Sequence, residues 1–177
     1  CPANAQPITN GAGDFDAAIN SNMAPGKRLL FRRGEAWVAS APGIIDVNGP
    51  GIIGSFGNGA NPIITYSANV SAIQASTSTT PSIGDWRVMD LEFDGGGRNE
   101  AIGVEAGGGI NQVTYLRLNV HNIGHAFHFN EDLLDWWNGH GNPGHTIFDQ
   151  IALADCTVVG VVGGAGHHGI FASARQF

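Results

Sequence analysis

At 177 residues, with 27 glycines, 42% hydrophobic and only 13% charged residues, the chain is long enough for one continuous core and too apolar to be intrinsically disordered. Its formal charge of −7, with eight Lys plus Arg and no basic run, argues against phosphate-directed nucleic-acid binding. It suits an extracellular surface that meets neutral or cationic ligands, or acidic ones through a bound cation. No apolar stretch reaches membrane-spanning length, and sustained i, i+3, i+4, i+7 patterning is missing.

Residues 1–24 open with a Gly/Asn/Pro-rich stretch and then read as one short helix, Phe15 to Met23, with Asp14 as its cap. The turn Pro25-Gly26 leads into the apolar run Leu29 to Phe31, which Arg32, Arg33 and Gly34 interrupt before Trp37-Val38 resumes it. Further short apolar segments follow at Ile44 to Val47, Ile52-Ile53, Ile63 to Tyr66 and Val70 to Ile73, each bounded by Gly, Pro, Asn or Ser. Segments this short and this regularly punctuated predict strands of a solenoid rather than of a sandwich.

From residue 86 onward one five-point pattern recurs three times. The copies are Trp86, Val88, Asp90, Leu91, Phe93; Val113, Tyr115, Arg117, Leu118, Val120; and Ile151, Leu153, Asp155, Cys156, Val158. Period-two alternation marks a strand, and the change of phase around the charged residue marks a bend. Copies beginning at 86, 113 and 151 mean that the chain coils back to the same place, so equivalent residues should stack one coil apart. Trp86 is expected over Val113 over Ile151, Phe93 over Val120 over Cys156, and Asp90, Arg117 and Asp155 in a ladder of alternating sign. A second strand per coil should align Ile102-Gly103-Val104 with Phe127-His128-Phe129 and Ile170-Phe171-Ala172, bringing Glu100, His125 and His168 into register.

The segment PGKRLLFRRGEAWV, followed by GPGIIGSFGNGANPIITYS, resembles the opening coils of right-handed parallel β-helix proteins of the pectin-lyase-like superfamily. The residues that carry the resemblance are Phe31, Gly34, Trp37, Phe56, Gly57, Gly59, Ala60 and Pro62. It implies an all-β, right-handed parallel β-helix (solenoid) over residues 25–177, with a short N-terminal helical cap segment over 1–24. The chain has no polar cap after its last strand, so the coils are expected to continue or to be covered by another subunit. The superfamily spans lyases, hydrolases, esterases, adhesins and phage tailspikes, and no catalytic motif of it transfers residue by residue. Its lyases use Lys or Arg with Ca²⁺ held by Asp residues, whereas the one lysine here, Lys27, lies outside the later coils. No cofactor is expected beyond the Ca²⁺ that this resemblance would bring.

Three groups of residues could carry chemistry. The stretch NEDLLDWWNGHGNPGHT, residues 130–146, sets Trp136 and Trp137 beside Glu131, Asp132, Asp135, His140 and His145. Paired indoles with carboxylates suit a sugar site, by stacking on pyranose faces and accepting hydroxyl hydrogen bonds; the alternative is a loop folded back over the coil. Asp94 and His121 occupy equivalent places in successive coils, and Glu92, Asn119 and Thr157 form the row beside them, offering acid/base groups to a glycan lying along the solenoid. Arg117 joins Trp136, Trp137, His140 and His145 as an expected substrate contact, with Asp94, His121, Glu92, Asp132 and Asp135 as expected acids and bases. The third group is His125, His128, His167 and His168 with Glu100. With Glu100, the in-register His125 and His168 could bind a divalent metal, but the compact HxH or HExxH spacing of a metal motif is missing, so stacking at a corner is the favoured reading and no metal is assigned.

Cys156 is expected to be a small buried hydrophobe rather than the disulfide partner of Cys1. Cys1 itself fits either a lipidated lipoprotein terminus or an arbitrary start of the numbering. The function expected is recognition, and in one form cleavage, of polysaccharide by a secreted or cell-surface lyase or glycoside hydrolase. The alternative is a structural subunit of a fibre, sheath or adhesin that stacks end to end.

Overall fold

A computed structural model describes residues 5–8, 13–75, 83–107, 110–130 and 150–173. They form a parallel β-solenoid of about four turns with a single short helix. One sheet holds six strands, in the order β1 (Ala5–Ile8), β2 (Arg28–Arg32), β5 (Gly51–Phe56), β8 (Ile83–Met89), β10 (Ile110–Leu116) and β12 (Ala152–Ala154). The second runs β13 (Thr157–Val159), β11 (Asn119–Asn130), β9 (Glu92–Ala106), β6 (Ile63–Tyr66) and β3 (Ala36–Ala39). Alongside it β14 (His168–Ser173) pairs with β11, and β7 (Ser71–Ala75) joins β9 to β4 (Gly43–Ile45). Each strand lies parallel to its counterpart one coil away, so every side-chain position continues as a column along the axis.

The core follows from period two. Val88, Tyr115 and Leu153 are register partners in consecutive coils, and so are Trp86 and Val113. The other inward stack runs Phe93, Val120, Val158. Cys156 was expected there but lies two residues earlier, level with Leu118; its half-buried thiol faces the carbonyl oxygens of Tyr115 and Ala154. Helix α1 (Phe15–Asn20) closes the first coil. Phe15 and Ile19 are fully buried, with Phe15 4.7 Å from Phe31 and 6.3 Å from Phe93 between ring centres. On the next face of the helix, Asp16 accepts from the Ser40 amide at 2.9 Å. Asn20 accepts from the Ile44 amide at 2.7 Å and donates to the Pro42 carbonyl at 3.0 Å. These two side chains satisfy backbone groups of the coil edge that lack a strand partner. The helix ends before Met23 because Asn22 turns back, its side chain donating to the Ala18 carbonyl at 2.8 Å. Asp14 holds the N-cap position without a side-chain cap bond.

The bends explain the charged residue in each repeat. Asp90, Arg117 and Asp155 have φ of 57°, 51° and 52°, the left-handed region that lets the strand turn the corner. One position before each repeat, Asp85, Gln112 and Gln150 show φ of 56°, 55° and 56°. The coil therefore kinks twice, five residues apart, at the same places in three successive turns.

The second strand departs from its expected alignment. His125 pairs with Ile102 and Phe127 with Val104, while His125 with His168 and Phe127 with Ile170 are as expected. Glu100 is thus not in register with His125. The cause is the Gly95-Gly96-Gly97 stretch, with left-handed φ at Gly96 and Gly97, and two register shifts between His121 and His125 that leave extra residues on β9.

Tyr115 offers a test of the core. It is fully buried, stacked 5.7 Å from Phe129, and its hydroxyl has no hydrogen-bond partner among the described residues. Burial accordingly pushes the phenol pKa upward. Tyr115→Phe removes an unsatisfied polar atom at almost constant shape and should stabilise the protein by about 1 kcal/mol, raising Tm by about 2–4 °C in thermal unfolding. A lower Tm would mean that the hydroxyl is bonded.

Candidate functional site

On the outer face of β9, Glu92 and Asp94 flank the buried Phe93 and project away from the core. Their register partners on β11 are Asn119 and His121, with Val120 buried between, and Thr157 and Val159 continue the two rows on β13. His121 Nε2 lies 2.9 Å from Glu92 Oε1, and Nδ1 lies 3.5 Å from Asp94 Oδ1. Asn122 completes the group: its side-chain amide donates to Asp94 Oδ1 at 3.2 Å and lies 3.1 Å from His121 Nδ1. An amide N–H₂ can only donate, so Nδ1 accepts and Nε2 carries the hydrogen directed at Glu92. Asp94 Oδ1 also accepts from the Gly96 amide at 3.0 Å. The result is a half-buried acid–imidazole–acid row spanning two coils, with donors and acceptors on a rigid sheet. Asn122 was missed in the sequence; its signal is a residue tolerant of left-handed φ, here 53°, directly after the strand's outward histidine.

Arg117, expected to contact substrate, reaches the neighbouring coil. Its Nε and terminal nitrogen donate to the two oxygens of Asp90 at 2.7 and 2.8 Å, and Arg33 stands 3.6 Å away on the other side. The bidentate Arg117 bond, with the nearby charges of Arg117 and Arg33, holds the Asp90 carboxyl below the usual range. This part of the ladder joins coils at the bend.

The histidines gather at the next corner. His125 sits 5.1 Å from His167, 5.5 Å from His128 and 6.2 Å from His168 between ring centres. Glu100, despite its lost register, reaches His167: Oε1 is 3.3 Å from Nε2. Burial, reinforced by the neighbouring rings, lowers the His125 pKa, while the Gly164 carbonyl and Glu100 raise that of His167. Behind them Glu105 is buried, hydrogen-bonded by the Ser71 hydroxyl, with its other oxygen 3.8 Å from His128 Nδ1; burial raises its pKa despite that bond. Elsewhere Lys27, Arg28 and Arg87 line a shallow basic cleft with Pro50 and Ile52, Arg87 being paired with Asp85 at 3.0 Å.

Glu131, Asp132, Asp135, Trp136, Trp137, His140 and His145 lie outside the described residues, as does Cys1. Among the described residues, no helix is long and apolar enough to cross a membrane. No family model, curated protein or solved structure matches this chain, so its likeness to the pectin-lyase-like superfamily rests on the residue motifs and the parallel coil alone.

Proposed function

We propose that this β-solenoid is a secreted or cell-surface protein that recognises polysaccharide, of the kind seen in the pectin-lyase-like superfamily, along the outward row of Glu92, Asp94, His121 and Asn122. The observation that carries the reading is the pairing of Glu92, His121 and Asp94 across two coils. It presents fixed carboxylate and imidazole groups at the spacing of a strand ladder, suited to the hydroxyls of a chain of sugars lying along the axis. Acidic groups in the row and the net charge of −7 favour neutral or cationic glycans over polyuronates. In this reading Trp136 and Trp137 supply the stacking platform, an assignment drawn from the sequence. Cleavage, if it accompanies binding, would use Glu92 and Asp94 as the paired carboxyls and His121 to move a proton between them.

The test is a panel of neutral, cationic and acidic polysaccharides, scored for binding, for new reducing ends and for unsaturated-product absorbance. His121→Ala and Glu92→Gln should each weaken binding of the preferred glycan about tenfold, or about 1.4 kcal/mol, with the β-sheet circular dichroism unchanged. Equal affinity in both variants removes the row from the site. Filament formation without binding to any glycan would replace this reading with that of a fibre, sheath or adhesin subunit.

A further inference from the structure

His167 determines what its corner can hold. Its Nδ1 lies 2.9 Å from the Gly164 carbonyl oxygen, and a carbonyl only accepts, so Nδ1 carries the hydrogen. Nε2 is then the nitrogen turned toward Glu100 Oε1, 3.3 Å away. A protonated ring fills that gap with its own hydrogen, donated to Glu100; in the neutral ring both atoms are electron-rich, and a divalent cation can take the proton's place between them. An imidazole oriented by a backbone carbonyl through its far nitrogen is how metal-binding histidines are held. The spacing agrees: a metal about 2.1 Å from both atoms, at a tetrahedral angle, separates them by about 3.4 Å.

His125 supplies a third donor. One ligand atom each from Glu100, His125 and His167 lies within 4.8 Å of the others. Closing the longest of these separations to the tetrahedral value takes a movement of at most roughly 1.4 Å. His125 Nδ1 is buried and has no hydrogen-bond partner among the described residues, a costly state for a polar atom unless something fills it. Two glycines set the rings. At Gly163, a Cβ would stand 2.5 Å from His167 Nδ1, and at Gly124, next to His125, it would overlap the Asn99 carbonyl.

We propose that Glu100, His125 and His167 form a binding site for a divalent ion of the Zn²⁺ class, bridging β9, β11 and the turn before β14. Two imidazoles and one carboxylate select a borderline-soft ion over Ca²⁺, which requires six to eight oxygens. Three protein ligands leave one position for water, the arrangement of catalytic rather than structural zinc.

The full chain, stripped with a chelator, is titrated with Zn²⁺ and in parallel with Ca²⁺ by calorimetry, and its thermal unfolding is followed with and without each ion. The expected result is one Zn²⁺ per chain at micromolar Kd or tighter, a raised Tm with Zn²⁺, and no effect of Ca²⁺. Glu100→Gln and His167→Ala should each weaken Zn²⁺ at least about tenfold, and Gly163→Ala should weaken it with all three ligands present. Circular dichroism reports whether each variant keeps its sheet; Glu100 is exposed and Glu100→Gln keeps its shape, so that variant decides the matter even where another unfolds. Three results would overturn the site: no Zn²⁺ binding up to about 100 µM, unchanged affinity in Glu100→Gln and His167→Ala, or an affinity that follows His140 and His145 instead. The assay involves no glycan, so its failure leaves the polysaccharide reading standing.

Discussion

Trp86→Ala is expected to destabilise the protein by about 3–5 kcal/mol, enough to lower Tm by about 10 °C in a chain of this size. Trp86 is fully buried, and its indole N–H donates to the Val47 carbonyl at 2.8 Å. The substitution removes the largest side chain of its column and leaves that carbonyl without its donor. The ring also lies against Gly51, its register partner one coil back, where a Cβ would overlap the six-membered ring. Gly51→Ala alone should therefore be strongly destabilising, because a packed indole cannot withdraw. In the Trp86→Ala background the same methyl enters vacated space, and its cost should fall by 1 kcal/mol or more, to order of magnitude. Denaturant unfolding of the two single variants and the double variant measures that coupling. Strictly additive costs would show that the two residues do not share the space.

Gly124→Ala should be nearly as severe, for a backbone reason. An added Cβ would fall on the Asn99 carbonyl group of the adjacent coil, within the second register shift of β9 and β11. No side-chain rotation relieves an overlap with backbone, so the strands must separate at that corner, at a cost of about 3 kcal/mol. Gly57→Ala is the control. Gly57 has φ of +85° and open space around its Cβ position, so only the left-handed strain of about 1 kcal/mol applies. Unfolding midpoints for the two should differ by several degrees. Gly124 also precedes His125, so Gly124→Ala should weaken Zn²⁺ binding, whereas Gly57→Ala should leave it intact.

The two glycines differ in a way the sequence does not display, and the same holds for much of the site. Period-two alternation placed Val88, Tyr115 and Leu153 in one column, and the charged bend at Asp90, Arg117 and Asp155 was readable because it interrupts that alternation. His121 beside Asp94 and Glu92 followed from the same counting. Counting failed past the glycine run at 95–97, where the extra residues of β9 separate Glu100 from the register of His125. Asp85, Gln112 and Gln150 are not legible as bends, because a polar residue just ahead of an apolar alternation is ordinary, and only its φ shows the turn.

Alternation of inward and outward side chains is a property of each short segment, since successive Cβ atoms of a strand point to opposite faces. Repeating that local pattern at intervals suited to a coil specified the solenoid and the Val88, Tyr115, Leu153 column, whereas the Phe93, Val120 column continues to Val158 and not to Cys156. Contacts between polar side chains depend instead on how many residues each corner absorbs, and a bulge shifts every later partner. Glu100 and His167 are 67 positions apart, and the turn at Gly163 and Gly164 brings them together. Their meeting, like the hydrogen placed on His167 Nδ1, is set by backbone geometry that appears only when the coils are stacked.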